Sequence, residues 1–140
     1  LIVSVGGGGL LCGILEGLKR NHWSDVKITT VETHGAASFY ESWKANKVVS
    51  LKEISSVATS LGAKTITKQA LSLSKEFDVN GVLVSDEEAI KAAELFYKEA
   101  HKRVEPACGA ALSIPYLHPE SFDENERVLV IVCGGANIIE

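Results

Sequence analysis

Apolar and polar positions divide the chain into short apolar runs separated by stretches of helical period. Leu1-Ile2-Val3-Ser4-Val5 is rich in β-branched residues and reads as a buried parallel strand. Beyond Gly6-Gly7-Gly8-Gly9-Leu10, the residues Leu11, Ile14, Leu15 and Leu18 recur at i, i+3, i+4 and i+7, one face of a helix. That helix ends near Lys19-Arg20-Asn21, with basic residues where the helix dipole favours them. A second strand is predicted over residues 26–31, running out at Glu32-Thr33-His34-Gly35, and a short helix over 36–44. Residues 45–66 carry little pattern: Val48-Val49 fits a short strand, and the small residues from Ser55 to Ala63 fit a loop or a frayed helix. Residues 67–77 read as helix, Asn80-Gly81 as a turn, and Val82-Leu83-Val84 as a third buried strand. Ser85 and Glu88 form a capping box ahead of a helix that packs through Ala89, Ala92, Ala93, Phe96 and Ala100. Glu105-Pro106 opens another helix, whose small residues Ala107 to Ala111 suit close packing against a neighbour. After a polar loop over 119–127, residues 128–132 form the last strand and run into Cys133-Gly134-Gly135.

Strands alternating with helices predict an α/β fold, a mostly parallel twisted sheet with helices on both faces. Ligands of such sheets sit beyond the carboxyl ends of the strands. Gly6–Gly9, the segment from Glu32 to Ala36, Ser85 and the segment from Cys133 to Gly135 all follow strands, so they are expected to converge there.

The glycine run carries the first chemistry. Strand, glycine loop and helix N-terminus together bring backbone N–H groups and the positive end of a helix dipole to one point, a geometry suited to phosphate. The dinucleotide fingerprint fails, because Leu11 and Cys12 stand where its third glycine belongs. The P-loop fails too, since Ile14 and Leu15 follow Gly13 where Lys and Ser/Thr are required. A tight turn without a ligand is the alternative, although successive glycines carry an entropic cost.

Composition narrows the classes. The chain has 140 residues, 46% hydrophobic and 23% charged, with net charge −4, enough for one domain with a real core. It has no basic cluster to attract nucleic acid and no apolar run of about 18–20 residues to span a membrane. Three widely spaced cysteines, Cys12, Cys108 and Cys133, fit free thiols in a reducing compartment better than a disulfide framework or a zinc site. His34, His101 and His118 lack metal-ligand spacing. Taken alone, Cys12 and Cys108 read as core packing, as does Cys133. Glu32 reads as a solvated or helix-capping carboxylate, Glu105 as a complement to a helix N-terminus, and Trp23 and Trp43 as packing.

Four motifs, taken together and in order, carry a family pattern: residues 4–13 (SVGGGGLLCG), 31–36 (VETHGA), 105–111 (EPACGAA) and 130–137 (VIVCGGAN). The chain resembles the L-serine dehydratases, members of the fold type II (tryptophan-synthase-β-like) pyridoxal-phosphate enzymes, over essentially its whole length. The resemblance implies that Gly6, Gly7, Gly8, Gly9 and Leu10 cradle the cofactor phosphate and that Cys133 faces the pyridine nitrogen. A thiol there would not hold that nitrogen protonated, which favours β-elimination. Racemases and biosynthetic threonine deaminases of the group carry serine at that position. It further implies a monovalent cation, potassium, held by Glu32 and by carbonyls of Gly6, Ala36, Leu61 and Ala63, chemically suited to a hard cation. The implied reaction is deamination of L-serine to pyruvate and ammonia, and of L-threonine to 2-oxobutanoate. The implied setting is a homodimer in amino-acid catabolism and gluconeogenesis, cytoplasmic or mitochondrial. The family's Schiff-base lysine motif and small substrate domain have no counterpart here. The chain is therefore expected to be the C-terminal part of the large cofactor-binding domain, with no catalytic lysine of its own. A racemase of the same fold and a non-catalytic module for a phosphate ligand are the alternatives.

Overall fold

The computed structural model describes residues 1–135. Three parallel strands, β1 (Ile2–Ser4), β2 (Ile28–Thr33) and β3 (Val79–Val84), form a sheet in the order β1-β2-β3. Ile2 pairs with Thr29 and Ser4 with Val31, while β2 and β3 pair from Ile28–Val79 to Thr33–Val84. The helices are α1 (Gly9–Arg20), α2 (Ser38–Ala45), α3 (Lys68–Ser74), α4 (Asp86–Ala100) and α5 (Pro106–Leu117).

Alternation along the strands sends side chains to two different layers. Val3, Val5 and Ile28 pack with Leu11, Leu15 and Leu18 of α1, Phe39 of α2 and Ala70, Leu71 and Leu73 of α3. Ile2, Val31 and Val84 face the other way, onto Ala89 of α4 and Ala107, Ala110, Ala111 and Ile114 of α5. Helices thus cover both faces of a parallel sheet, as the alternating pattern predicts.

Helix α5 is buried from Pro106 through Ile114. A Cβ on Gly109 would lie 2.0 Å from the Ala89 carbonyl oxygen, so only glycine allows α4 this close. The small-residue run does press two helices together. Ser85 caps α4 through the Glu88 N–H, and the Glu88 carboxylate returns to the Ser85 N–H, the predicted capping box.

Other expectations need correction. Asn80-Gly81 is not a turn but part of β3. Gly81 is there because a Cβ would come within 3.0 Å of the Tyr40 ring and 3.2 Å of the Trp43 ring, which lie across the strand. Of Val82, Leu83 and Val84 only Val84 is buried, because β3 is the last strand on its side of the sheet. Val26 and Lys27 precede β2, and Val48-Val49 is irregular. Between 45 and 66 the only regular element is a 3₁₀ turn, Thr59–Leu61. Residues 128–132 lie beside β1 but pair only once, Ile2 with Val130, through bonds of 2.8 Å from Ile2 N to Leu129 O and 2.9 Å from Ile131 N to Ile2 O. Val128, Leu129 and Val132 are exposed. Trp23 is 64% exposed and is not a packing residue. Ala100 is exposed as well. Ala136 and Asn137, the end of the fourth motif, lie outside the described residues.

Candidate functional site

The chain leaves β1 through buried Val5 and enters the glycines with two segments pressed beneath them. A Cβ on Gly6 would stand 3.0 Å from Ser60 O, and one on Gly8 would stand 2.6 Å from the Ala70 Cβ. Gly8 also has φ +95°, a conformation that L side chains resist, so the turn requires glycine twice over. Thr67 holds the underside: its N–H donates to Gly7 O (3.0 Å) and its hydroxyl accepts from Ala70 N (3.1 Å), capping α3.

The upper side is open. Nothing lies within 4 Å of a Cβ placed on Gly9, and Leu10 is 47% exposed. Gly8 is the N-cap of α1, which has no side-chain cap and no acidic residue in its first turn. The N–H groups of that turn have no partner within the helix, and the dipole adds partial positive charge. An exposed, positively polarised helix start with no acidic residue in its first turn is a geometry suited to an anion.

Beyond β2, Glu32 is only 1% exposed. Alternation turns it to the same face as Ile28, and its oxygens accept from the N–H groups of Phe39 (2.8 Å) and Tyr40 (2.6 Å) at the start of α2. Glu32 is therefore a helix-capping group rather than a solvated carboxylate. Burial pushes its pKa up to about 8, against the downward pull of the two N–H bonds. The other residues expected around a cation gather beside the glycine loop. Gly6 abuts Ser60 and Leu61, Gly7 lies 3.6 Å from Ala63 measured from a placed Cβ, and Ala36 packs in one cluster with Leu61.

Two polar chains tie these strand ends together. Thr33 Oγ1 donates to Ser56 Oγ (2.7 Å), which donates to Asp86 Oδ1 (2.5 Å), while Val57 N donates to Asp86 Oδ2 (3.0 Å). This chain fixes the loop after β2 to the start of α4. Ser60 Oγ, behind Gly6, donates to Glu105 Oε2 (2.7 Å), and Glu105 N donates to Gly134 O (3.3 Å). The glycine loop and the Cys133–Gly135 segment are thereby anchored to a common residue at the start of α5. Cys133 is exposed and Cys108 buried; the two thiols influence one another, Cys108 being shifted downward and Cys133 upward from the usual thiol range.

Sequence reasoning passed over the roles of Ser56, Ser60 and Asp86, and read Glu105 only as a dipole partner. These contacts join residues 30 and 45 positions apart, which no local spacing reveals. Thr67 did leave a signal, a threonine directly before a helical pattern. Cys12 is half-buried against the Thr67 hydroxyl, and Cys108 is fully buried. Among the described residues no group of three or more His, Cys, Asp and Glu side chains is placed to hold a metal ion. None of their helices is long and apolar enough to cross a membrane.

A parallel sheet covered by helices on both faces, with a glycine loop leading from β1 into α1, defines the class. The chain belongs to the family described as pyridoxal-phosphate dependent enzyme, which it matches over residues 1–134. It is 46% identical to the L-serine dehydratase/L-threonine deaminase of Homo sapiens, covering 99% of this chain and 44% of that protein. Among solved structures it is similar to a fungal L-serine ammonia-lyase from Rhizomucor miehei. That likeness has a TM-score of 0.91 at 37% identity, over 99% of this chain and 47% of the other. Maize serine racemase matches with a TM-score of 0.75 over 84% of this chain and 36% of that one, and at 24% identity this is a likeness of fold alone. The chain thus spans less than half the length of the dehydratases it resembles.

Proposed function

We propose that the polypeptide carrying this chain is a pyridoxal-phosphate-dependent ammonia-lyase that deaminates L-serine to pyruvate and L-threonine to 2-oxobutanoate. The observation that carries this reading is the glycine loop: Gly8 at φ +95° on the open start of α1, supported from below by Thr67 and Ala70. The 46% identity to a dehydratase supports the choice of reaction. When bound, the cofactor supplies an electron sink that makes the α-proton of an amino acid labile and allows the β-hydroxyl to leave.

This chain's residues hold and orient. Backbone N–H groups of Gly6 to Leu10 grip the phosphate, and Cys133, at the same sheet end, is assigned to the ring nitrogen. The neighbouring Cys108 thiol, with burial, holds the Cys133 pKa above the usual thiol range, so its sulfur stays uncharged. The lysine that bonds the cofactor is assigned to sequence outside these 140 residues, since those present, such as Lys19 paired with Glu76, sit on exposed surfaces. A monovalent cation, potassium, is assigned to Glu32 with carbonyls of Gly6, Ala36, Leu61 and Ala63. Buried Glu32 supports it, since a neighbouring positive charge would let that carboxyl ionise at neutral pH. The same reading makes the chain the C-terminal part of a large cofactor domain in a cytoplasmic homodimer.

The experiment is cofactor titration of the full-length protein, followed by visible absorbance. The expected result is a band that borohydride abolishes and an affinity that drops at least tenfold in Gly8→Ala. A protein that binds no pyridoxal phosphate would overturn the reading. A racemase on this fold would return D-serine instead of pyruvate, so both products are measured.

A further inference from the structure

Glu105 makes contact in two directions. It is only 8% exposed; its carboxylate accepts from Ser60 Oγ (2.7 Å), and its backbone N–H donates to Gly134 O (3.3 Å). Ser60 belongs to the 3₁₀ turn Thr59–Leu61, and its carbonyl oxygen stands 3.0 Å from a Cβ placed on Gly6. Gly134 follows Cys133 and has φ +108°, a left-handed conformation that favours glycine. The side chain of Glu105 thus reaches the segment beneath the glycine loop, and its backbone reaches the segment of Cys133.

The segments differ in how firmly they are held. Glu105 is the N-cap of α5, and its carbonyl accepts from Cys108 N and Gly109 N, both at 3.0 Å. Beyond it α5 is buried from Pro106 through Ile114, and Ala111 N donates to Ser4 Oγ (3.0 Å), a buried bond that registers the helix against the end of β1. The start of α5 is therefore a fixed reference. A 3₁₀ turn of three residues holds itself poorly, and the run leading to Cys133 forms a single bridge with β1, Ile2 with Val130. Both gain an anchor in Glu105.

We propose that Glu105 is a positioning residue: acting through Ser60 and Gly134, it fixes the spacing between the glycine loop and Cys133. The proposal rests on the deaminase reading, in which the loop takes the cofactor phosphate and Cys133 the ring nitrogen. A ligand held at two ends gains from the second contact only while the ends keep their separation, because that contact forms at an effective concentration the protein sets. A ligand that touches one end is indifferent to the spacing. Loss of the Ser60–Glu105 bond should therefore weaken pyridoxal phosphate, which spans both ends, and spare inorganic phosphate and pyridoxal, which each engage one.

The test titrates the full-length protein separately with pyridoxal phosphate, pyridoxal and inorganic phosphate, in wild type, Ser60→Ala, Glu105→Ala and the double variant. Ser60→Ala, at an exposed residue, decides the matter if Glu105→Ala does not fold. Affinity for pyridoxal phosphate should fall about tenfold in each single variant, the effect of losing one hydrogen bond to a charged group. It should fall no further in the double variant, because both substitutions remove the same bond. Affinities for pyridoxal and for inorganic phosphate should be unchanged. Glu105→Gln should lose less than Glu105→Ala, since its amide oxygen still accepts from Ser60 Oγ. A matching loss for inorganic phosphate or for pyridoxal would overturn the proposal, as would additive losses in the double variant or an unchanged affinity for pyridoxal phosphate in Ser60→Ala. A wild type that binds no pyridoxal phosphate overturns the deaminase reading and the proposal together, whereas normal binding by wild type without the selective loss in the variants overturns the proposal alone.

Discussion

Replacing Glu32 by glutamine should reverse the order of stability between acid and alkaline pH. Below pH 4.5 the carboxyl is protonated in folded and unfolded chains alike. As pH rises, the unfolded chain releases its proton first while the folded one holds it to about pH 8. The unfolded state then binds fewer protons, so stability falls with rising pH across that window and the loss is complete above it. A rise from 4.5 to about 8 corresponds to about 3–5 kcal/mol. Glutamine has no proton to lose, but its amide oxygen replaces only one of the two acceptors used by Phe39 and Tyr40, at a cost of about 1–3 kcal/mol. Glu32→Gln should therefore be less stable than wild type at pH 5 and more stable at pH 8.5. Urea unfolding of the full-length protein in buffers free of potassium and sodium measures both. Parallel curves for the two proteins across pH would refute the reasoning, because Glu32 would then titrate as an ordinary carboxyl. Adding potassium at pH 8.5 should stabilise the wild type selectively if the proposed cation lies beside Glu32.

Further expectations follow from other contacts. Gly8→Ala should cost about 2–4 kcal/mol from backbone strain and overpacking. Adding Ala70→Gly should recover the steric part only, as thermal melts of the single and double variants will show. Gly109→Ala, with its Cβ directed at the Ala89 carbonyl, should cost about 1–3 kcal/mol or more by forcing α4 from α5, and near-ultraviolet circular dichroism should report the loosened packing. Asp86→Ala removes the acceptor of Ser56 Oγ and Val57 N and should speed hydrogen exchange over residues 56–61. His118 pairs with Glu88 at 2.7 Å, which raises the histidine pKa, while Glu88 is lowered first by the Ser85 N–H and also by His118. That pair contributes above the lowered Glu88 pKa and fades as pH rises through the raised His118 pKa. With both side chains about a third exposed, it is worth at most about 0.5 kcal/mol, and an NMR titration of His118 in wild type and Glu88→Gln will register it.

Much of this architecture is legible in the chain because it depends on local periodicity. The i, i+3, i+4 stripe of α1 gives its buried face, and Ser85 with Glu88 marks the start of α4. The glycines between a β-branched run and that stripe mark the tight turn from β1 into α1. What the sequence hid depends on distant partners. Asn80-Gly81 has turn chemistry, but the Tyr40 and Trp43 rings need a residue without a side chain inside β3. The strand expected over 128–132 has the right composition yet forms a single pairing, because composition does not supply a neighbour. Glu32 fits a solvated or a helix-capping carboxylate equally well in the sequence, and only alternation along β2 decides for the start of α2. Cys108 looks like core, and it is buried.

The central claim is that this fold serves serine deamination by a pyridoxal-phosphate enzyme. The most direct test incubates the full-length protein and pyridoxal phosphate with L-serine and follows pyruvate through lactate dehydrogenase and NADH, with D-serine measured in parallel. The account predicts pyruvate released in step with ammonia, dependent on the cofactor and sharply reduced in Gly8→Ala. Cofactor-independent turnover, D-serine as the sole product, or no product from L-serine or L-threonine would contradict it.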